Sequence, residues 1–202
     1  MSIDGDADLD VRVRRTRDRL RGAVLELASG QPVESLAVAD VVRVARINRT
    51  TFYKHAASPA DVLAEVLYAD LDRIRSGWID DALRRDRPVD EIWKRSAGEL
   101  ADHLSRYERL YVTGLADQRS AVLHRLLVDH FAASARALFE RDPHLLPGGA
   151  GTPEWRAKAF SSFIANGEAG VVQAWLSEPA PRDRELLISA SVSIMSTWLA
   201  QP

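Results

Sequence analysis

The chain has no cysteine among its 202 residues. Disulfides and thiolate metal sites are therefore excluded, and a reducing compartment suits it. Its apolar residues never run together for the 18 or so positions that a membrane-spanning helix needs, so no membrane partner is expected. The start of the chain is also short of what a secretory signal requires. Asp4, Asp6, Asp8 and Asp10 stand where cations and then an apolar core should be, and a cytoplasmic location is the expectation. No alternation of apolar and polar residues lasts for a useful strand length. His103, His124, His130 and His144 show no metal-binding spacing, and no glycine-rich loop follows a strand. Neither a metal, nor a cofactor, nor a catalytic residue is expected, and the chain is not read as an enzyme.

What the chain does hold is unevenly distributed charge. The formal net charge is only −2. Residues 12–55 nevertheless carry ten bases against four acids, and the residues before them carry four acids and no base. A basic segment on a neutral-to-acidic body is the electrostatic footprint of a nucleic-acid-binding module. A solvated basic helix would give the same split, so the motif inside the segment has to decide.

That motif spans residues 38–55. Val38, Val41 and Val42 recur at the i, i+3, i+4 spacing of a buried helical stripe, and Ile47, Phe52 and the ring of Tyr53 offer a second apolar set. Two short helices split by a tight turn fit this pattern, the second over residues 48–55. Around the apolar sets stand Arg43, Arg46, Arg49, Thr50, Thr51, Tyr53, Lys54 and His55, which supply the cations and hydroxyls that phosphates and base edges hydrogen-bond. Arg49, Thr50 and Thr51 are assigned to base edges, and Tyr53, Lys54 and His55 mainly to phosphates.

The motif is framed by helices. Before it, Val13, Leu20, Val24, Leu27 and Ala28 lie at helical spacing from about Val11 to Ser29, where Gly30 ends the segment and Pro32 breaks the loop. After it, Ser58, Pro59 and Asp61 provide an N-cap, a first-position proline and an early acid. The helix they open runs to about Arg84, roughly 38 Å at 1.5 Å per residue. It forms a strut by which movement of its far end would shift the basic module.

The remainder is helical throughout. Segments over 92–115 and 120–141 precede a stretch dense in proline and glycine, 142–153, which is expected to be a flexible loop. Two helices rich in small residues follow, over 154–177 and 182–200. Phe160, Ile164, Gly167, Val171 and Trp175 on the first, with Leu187, Ile194 and Trp198 on the second, are candidates for a four-helix interface across a two-fold axis. Trp78, Trp93, Tyr107, Tyr111, Phe131 and Phe163 are candidates to line a cavity for a small apolar or aromatic ligand. For any single one of them core packing is the more ordinary account. Asn166 and Glu168, if buried, need partners, either in that interface or on a ligand.

The segment 14–67 resembles the N-terminal domain of TetR-type transcriptional regulators. The resemblance is carried by the apolar pair Val41 and Val42, by Ile47 and Asn48 after the turn, by Thr51-Phe52-Tyr53-Lys54-His55, and by Asp61 and Leu63. Beyond it, only helix count, helix lengths and the segment from Asn166 to Leu176 look alike. The resemblance implies an all-α fold of about nine helices with a three-helix DNA-binding domain. It implies a homodimer on double-stranded DNA with a palindromic operator, and a repressor that a small molecule releases. The expected division is an acidic flexible arm over 1–10, a helix-turn-helix domain over 11–57, and a ligand-binding and dimerisation domain over 58–202. Three positions depart from the family pattern. Arg46 stands for a turn glycine, Ala56 for an aromatic and Pro59 for a lysine. A helical ligand-binding or interaction protein with weakened DNA binding is the alternative they leave open.

Overall fold

The computed structural model describes residues 4–84, 87–116 and 121–199. Within these stretches the side chains are described from 11 to 194, except at 89 and 116. All regular structure among the described residues is helical. The helices are α1 Asp4–Ala28, α2 Val38–Ala45, α3 Arg49–Tyr53, α4 Pro59–Arg84, α5 Val89–Arg106, α6 Glu108–Ala116, α7 Val122–Arg141, α8 Pro153–Ser177 and α9 Arg184–Leu199. Single 3₁₀ turns lie at Val33–Ser35 and Pro143–Leu145.

Helix boundaries follow local chemistry. Ser58 Oγ accepts the N–H of Asp61 at 3.2 Å, with Pro59 at the first helical position of α4. Thr152 Oγ1 accepts the N–H of Trp155 at 3.2 Å, with Pro153 in the same role for α8. The carboxylate of Asp183 accepts the N–H of Glu185 at 2.9 Å at the start of α9. Each such cap satisfies a donor that the helix itself cannot, a contribution of about 1 kcal/mol.

Several boundaries differ from the periodicity reading. Helix α1 begins at Asp4 rather than near Val11, so residues 4–10 of the expected arm are helical in backbone. Helix α3 ends at Tyr53 rather than His55. Lys54 keeps an α conformation, its N–H shared between the carbonyls of Thr50 and Thr51. Farther on, the stretch 142–153 contains the 3₁₀ turn Pro143–Leu145, where the carboxylate of Asp142 accepts the N–H of His144 at 3.2 Å, and Arg156 donates to the carbonyl of Pro147 at 3.0 Å.

The chain divides into two compact units, one of residues 1–67 with 109–122 and one of residues 68–108 with 123–202. In the first, α1 packs on α2 and α2 on α3. Leu20, Ala23, Val24 and Ala28 of α1 are buried, as are Val41 and Ala45 of α2, Phe52 of α3, and Val62 and Leu63 of α4. Arg21 donates to Glu65 at 2.7 Å, and Thr113 Oγ1 to the carbonyl of Ser29 at 3.3 Å. In the second unit α5 and α8 both pack against α9. Gly98 lies at the first of these packings. Arg184 donates to its carbonyl at 3.0 Å, and a Cβ at Gly98 would stand 2.8 Å from the same guanidinium nitrogen. Trp78, Ile74, Ile79, Ile92 and Leu138 form a buried cluster there, with Trp93 packed against it.

Candidate nucleic-acid interface and ligand cavity

The turn between α2 and α3 is closed by backbone geometry. Arg46 has φ 53° and ψ 49°, the left-handed conformation. Its N–H donates to the carbonyl of Arg43 at 3.3 Å, and the N–H of Ile47 to that of Val42 at 3.0 Å. These two bonds make a Schellman ending, in which glycine is the usual residue. An arginine in this conformation costs about 1–2 kcal/mol. The departure seen in the sequence thus leaves the turn intact and stores strain at an exposed cation.

Past the turn, Asn48 takes an extended conformation and its side-chain oxygen accepts the N–H of Thr51 at 2.7 Å. Helix α3 has five residues, about 7.5 Å of rise. One side chain anchors it, since Phe52 is fully buried. Arg49, Thr50, Tyr53 and Lys54 are exposed, as is Arg46 in the turn, whereas Thr51 and His55 are half-buried. Tyr53 does not join the buried set expected for its ring. It is 60% exposed, and its ring meets that of Phe52 edge to face at 5.3 Å. Arg43, also within the motif, pairs with Asp40 at 3.0 Å. Pro59 is buried and opens α4, which explains a residue there that is not lysine.

The second unit contains a cavity of about 80 Å³. Among the candidate ligand-lining residues, Trp78, Trp93 and Phe131 line it, and the two indoles meet at a tilt of 35° with centroids 4.9 Å apart. Tyr107, Tyr111 and Phe163 do not. The hydroxyl of Tyr107 donates to Asp70 at 3.3 Å, Tyr111 is fully buried in the first unit, and Phe163 is 59% exposed. The polar lining includes His130, Ser134, Glu168 and Ser191. His130 carries no sequence pattern that marks it for this role, because a buried histidine at helical spacing reads as core. Burial pushes its imidazole down to about 4, reinforced by Arg75 and opposed by Asp72, so it is neutral at pH 7. Burial pushes the Glu168 carboxyl up, and a hydrogen bond from Ser191 at 3.1 Å pulls the other way. Asn166 is exposed and donates to the carbonyl of Ser162 in its own helix at 2.8 Å.

The interface candidates do not share one environment. Trp175 and Leu187 are buried within the unit, the indole N–H of Trp175 donating to the carbonyl of Asp183 at 2.8 Å. Ile164 lines the cavity, and Phe160 and Val171 are half-buried. Gly167 and Ile194 are exposed, and the side chain of Trp198 lies outside the described residues. Phe163, Gly167, Gly170 and Ala174 form an outward stripe on α8. A Cβ at either glycine would meet nothing within 4 Å.

No protein-family model matches the chain. It is 28% identical over 129 residues to an uncharacterised helix-turn-helix-type transcriptional regulator of Bacillus subtilis (strain 168), a match covering 63% of this chain and 33% of that protein. The matched region thus spans about a third of the length of that relative. The structure is similar to a TetR-family transcriptional regulator of Syntrophomonas wolfei, with a TM-score of 0.60 and 14% identity over 94% of this chain and 97% of the other. It is also similar to a TetR transcriptional regulator of Streptococcus agalactiae 2603V, with a TM-score of 0.58 and 17% identity over 94% and 98%. A TetR-family regulator of Mesorhizobium loti MAFF303099 scores 0.58 at 15% identity over 94% and 97%. The chain has the fold of TetR-family transcriptional regulators.

Proposed function

We propose that this protein is a DNA-binding transcriptional regulator that acts as a homodimer and represses until a small molecule occupies the cavity of its second unit. One observation carries the DNA-binding part. Helix α3 is held by the buried Phe52 and the Asn48 cap, while Arg49, Thr50, Tyr53 and Lys54 face outward from it. A short, anchored helix with donors on its free side can enter a major groove about 12 Å wide. Arg49, Thr50 and Thr51 are read as base-reading residues. Arg46, Tyr53, Lys54 and His55 are read as phosphate-binding residues, which position the helix without choosing a sequence.

Dimerisation is supported by the outward stripe of α8. Glycine inside a helix costs about 1 kcal/mol relative to alanine. Gly167 and Gly170 relieve no clash among the described residues, and with Phe163 they leave an apolar, closely approachable surface suited to a second copy. A dimer would also match a palindromic operator.

The test is a mobility-shift assay on DNA upstream of the protein's own gene, titrated with salt. Specific binding of one segment at physiological salt is expected. A steep, salt-dependent background with no preferred segment would overturn the reading in favour of a helical ligand-binding protein.

A further inference from the structure

The cavity wall is apolar over most of its area, with leucine, isoleucine and tryptophan side chains, but one ionisable acid breaks it. Glu168 reaches the cavity from α8, and its partner among the described residues is the hydroxyl of Ser191, which donates to one carboxylate oxygen at 3.1 Å. Among the described residues no lysine or arginine lines the cavity. His130, the other ionisable group of the lining, is neutral at pH 7.

A carboxylate withdrawn from water with one hydrogen bond is costly, and the cost falls if the group is protonated or meets a cation. The raised proton affinity of Glu168 reflects the first of these. A ligand can provide the second. An anionic ligand would place a second negative charge in the same apolar space, and a purely apolar one would desolvate the carboxylate further. A second feature of the wall selects in the same direction. The indoles of Trp78 and Trp93, which line the cavity with their planes tilted by 35°, add π-systems of the kind that attract cations. The cavity volume is about 80 Å³, so the enclosed part of the ligand is small.

We propose that the cavity binds a small organic ammonium ion, its nitrogen paired with Glu168 and its hydrocarbon part against Trp78 and Trp93. This rests on the reading of the cavity as the effector site and names the chemical class of the effector.

The test compares n-butylamine, n-butanol and butyrate, which share a chain and differ in charge, by thermal shift and NMR titration of the full-length protein at pH 7. Butylamine is expected to raise the Tm and bind at least about tenfold more tightly than butanol, with no binding of butyrate. Discrimination in the wild-type protein is read first, so the test does not hang on a variant. Glu168→Gln should then lose about tenfold in butylamine affinity and keep that for butanol. Equal binding of butanol and butylamine, preference for butyrate, no binding by any probe, or an unchanged Glu168→Gln would each overturn the proposal. DNA affinity without ligand is measured separately, so failure here stands apart from failure of the regulator reading.

Discussion

The side-chain oxygen of Asn48 accepts the backbone N–H of Thr51 at 2.7 Å, so the helix that carries the exposed donors Arg49, Thr50 and Tyr53 is capped by the residue before it. With five residues, α3 has few internal hydrogen bonds to lose. Asn48→Ala should therefore cost about 1 kcal/mol in urea unfolding, and should weaken operator binding by more than that loss of global stability accounts for. Equal affinity of wild type and variant would mean that the cap does not organise the DNA-facing surface.

Arg46 separates stability from binding. Its left-handed conformation costs about 1–2 kcal/mol that glycine avoids, and its side chain is exposed beside α3. Arg46→Gly is expected to raise the Tm and to weaken DNA binding. If Arg46 neutralises a phosphate, removing its charge makes the slope of log K against log salt shallower by about 0.9 per phosphate. An unchanged affinity and slope would show that Arg46 does not touch the DNA backbone.

Acid should destabilise the second unit. Burial holds both His103 and His130 at about 4, below the ordinary 6.5. Asp70 raises His103 while Arg106 and Arg73 lower it. Asp72 raises His130 while Arg75 and His103 lower it. Between about pH 6.5 and pH 4 the unfolded chain binds more protons at these sites than the folded one, so stability falls as pH falls through that window. At about 1.4 kcal/mol per pKa unit each histidine accounts for about 3 kcal/mol across that window. Urea midpoints at pH 7 and pH 5 check this. A midpoint that does not drop, or a drop that survives His130→Phe undiminished, would speak against these histidines.

The outward stripe of α8 gives a prediction about assembly. Phe163→Glu places a charge on a side chain that is 59% exposed within one chain, so the isolated fold should tolerate it. The expected result is a monomer by sedimentation with unchanged helicity and lost operator affinity. A dimer that persists would move the interface elsewhere.

Much of this protein is determined by sequence alone. The all-helical class follows from 3.6-residue periodicity with no alternation, and the start of α4 from Ser58, Pro59 and Asp61, because both signals are local. The position of the turn between α2 and α3 is legible for the same reason, even with arginine where glycine is usual. Tertiary structure alone decided what each apolar stripe faces. Trp175 and Phe163 lie on one helix rich in apolar residues, yet Trp175 is buried and Phe163 exposed. Tyr111 fills a core while Trp93 lines a cavity. Periodicity reports which side chains share a face, whereas burial depends on which other helix arrives opposite. Glu168 illustrates the limit. Its sequence neighbours give it a place on α8, and only the packing of that helix beside α9 leaves its carboxylate in an apolar cavity with Ser191 as its partner.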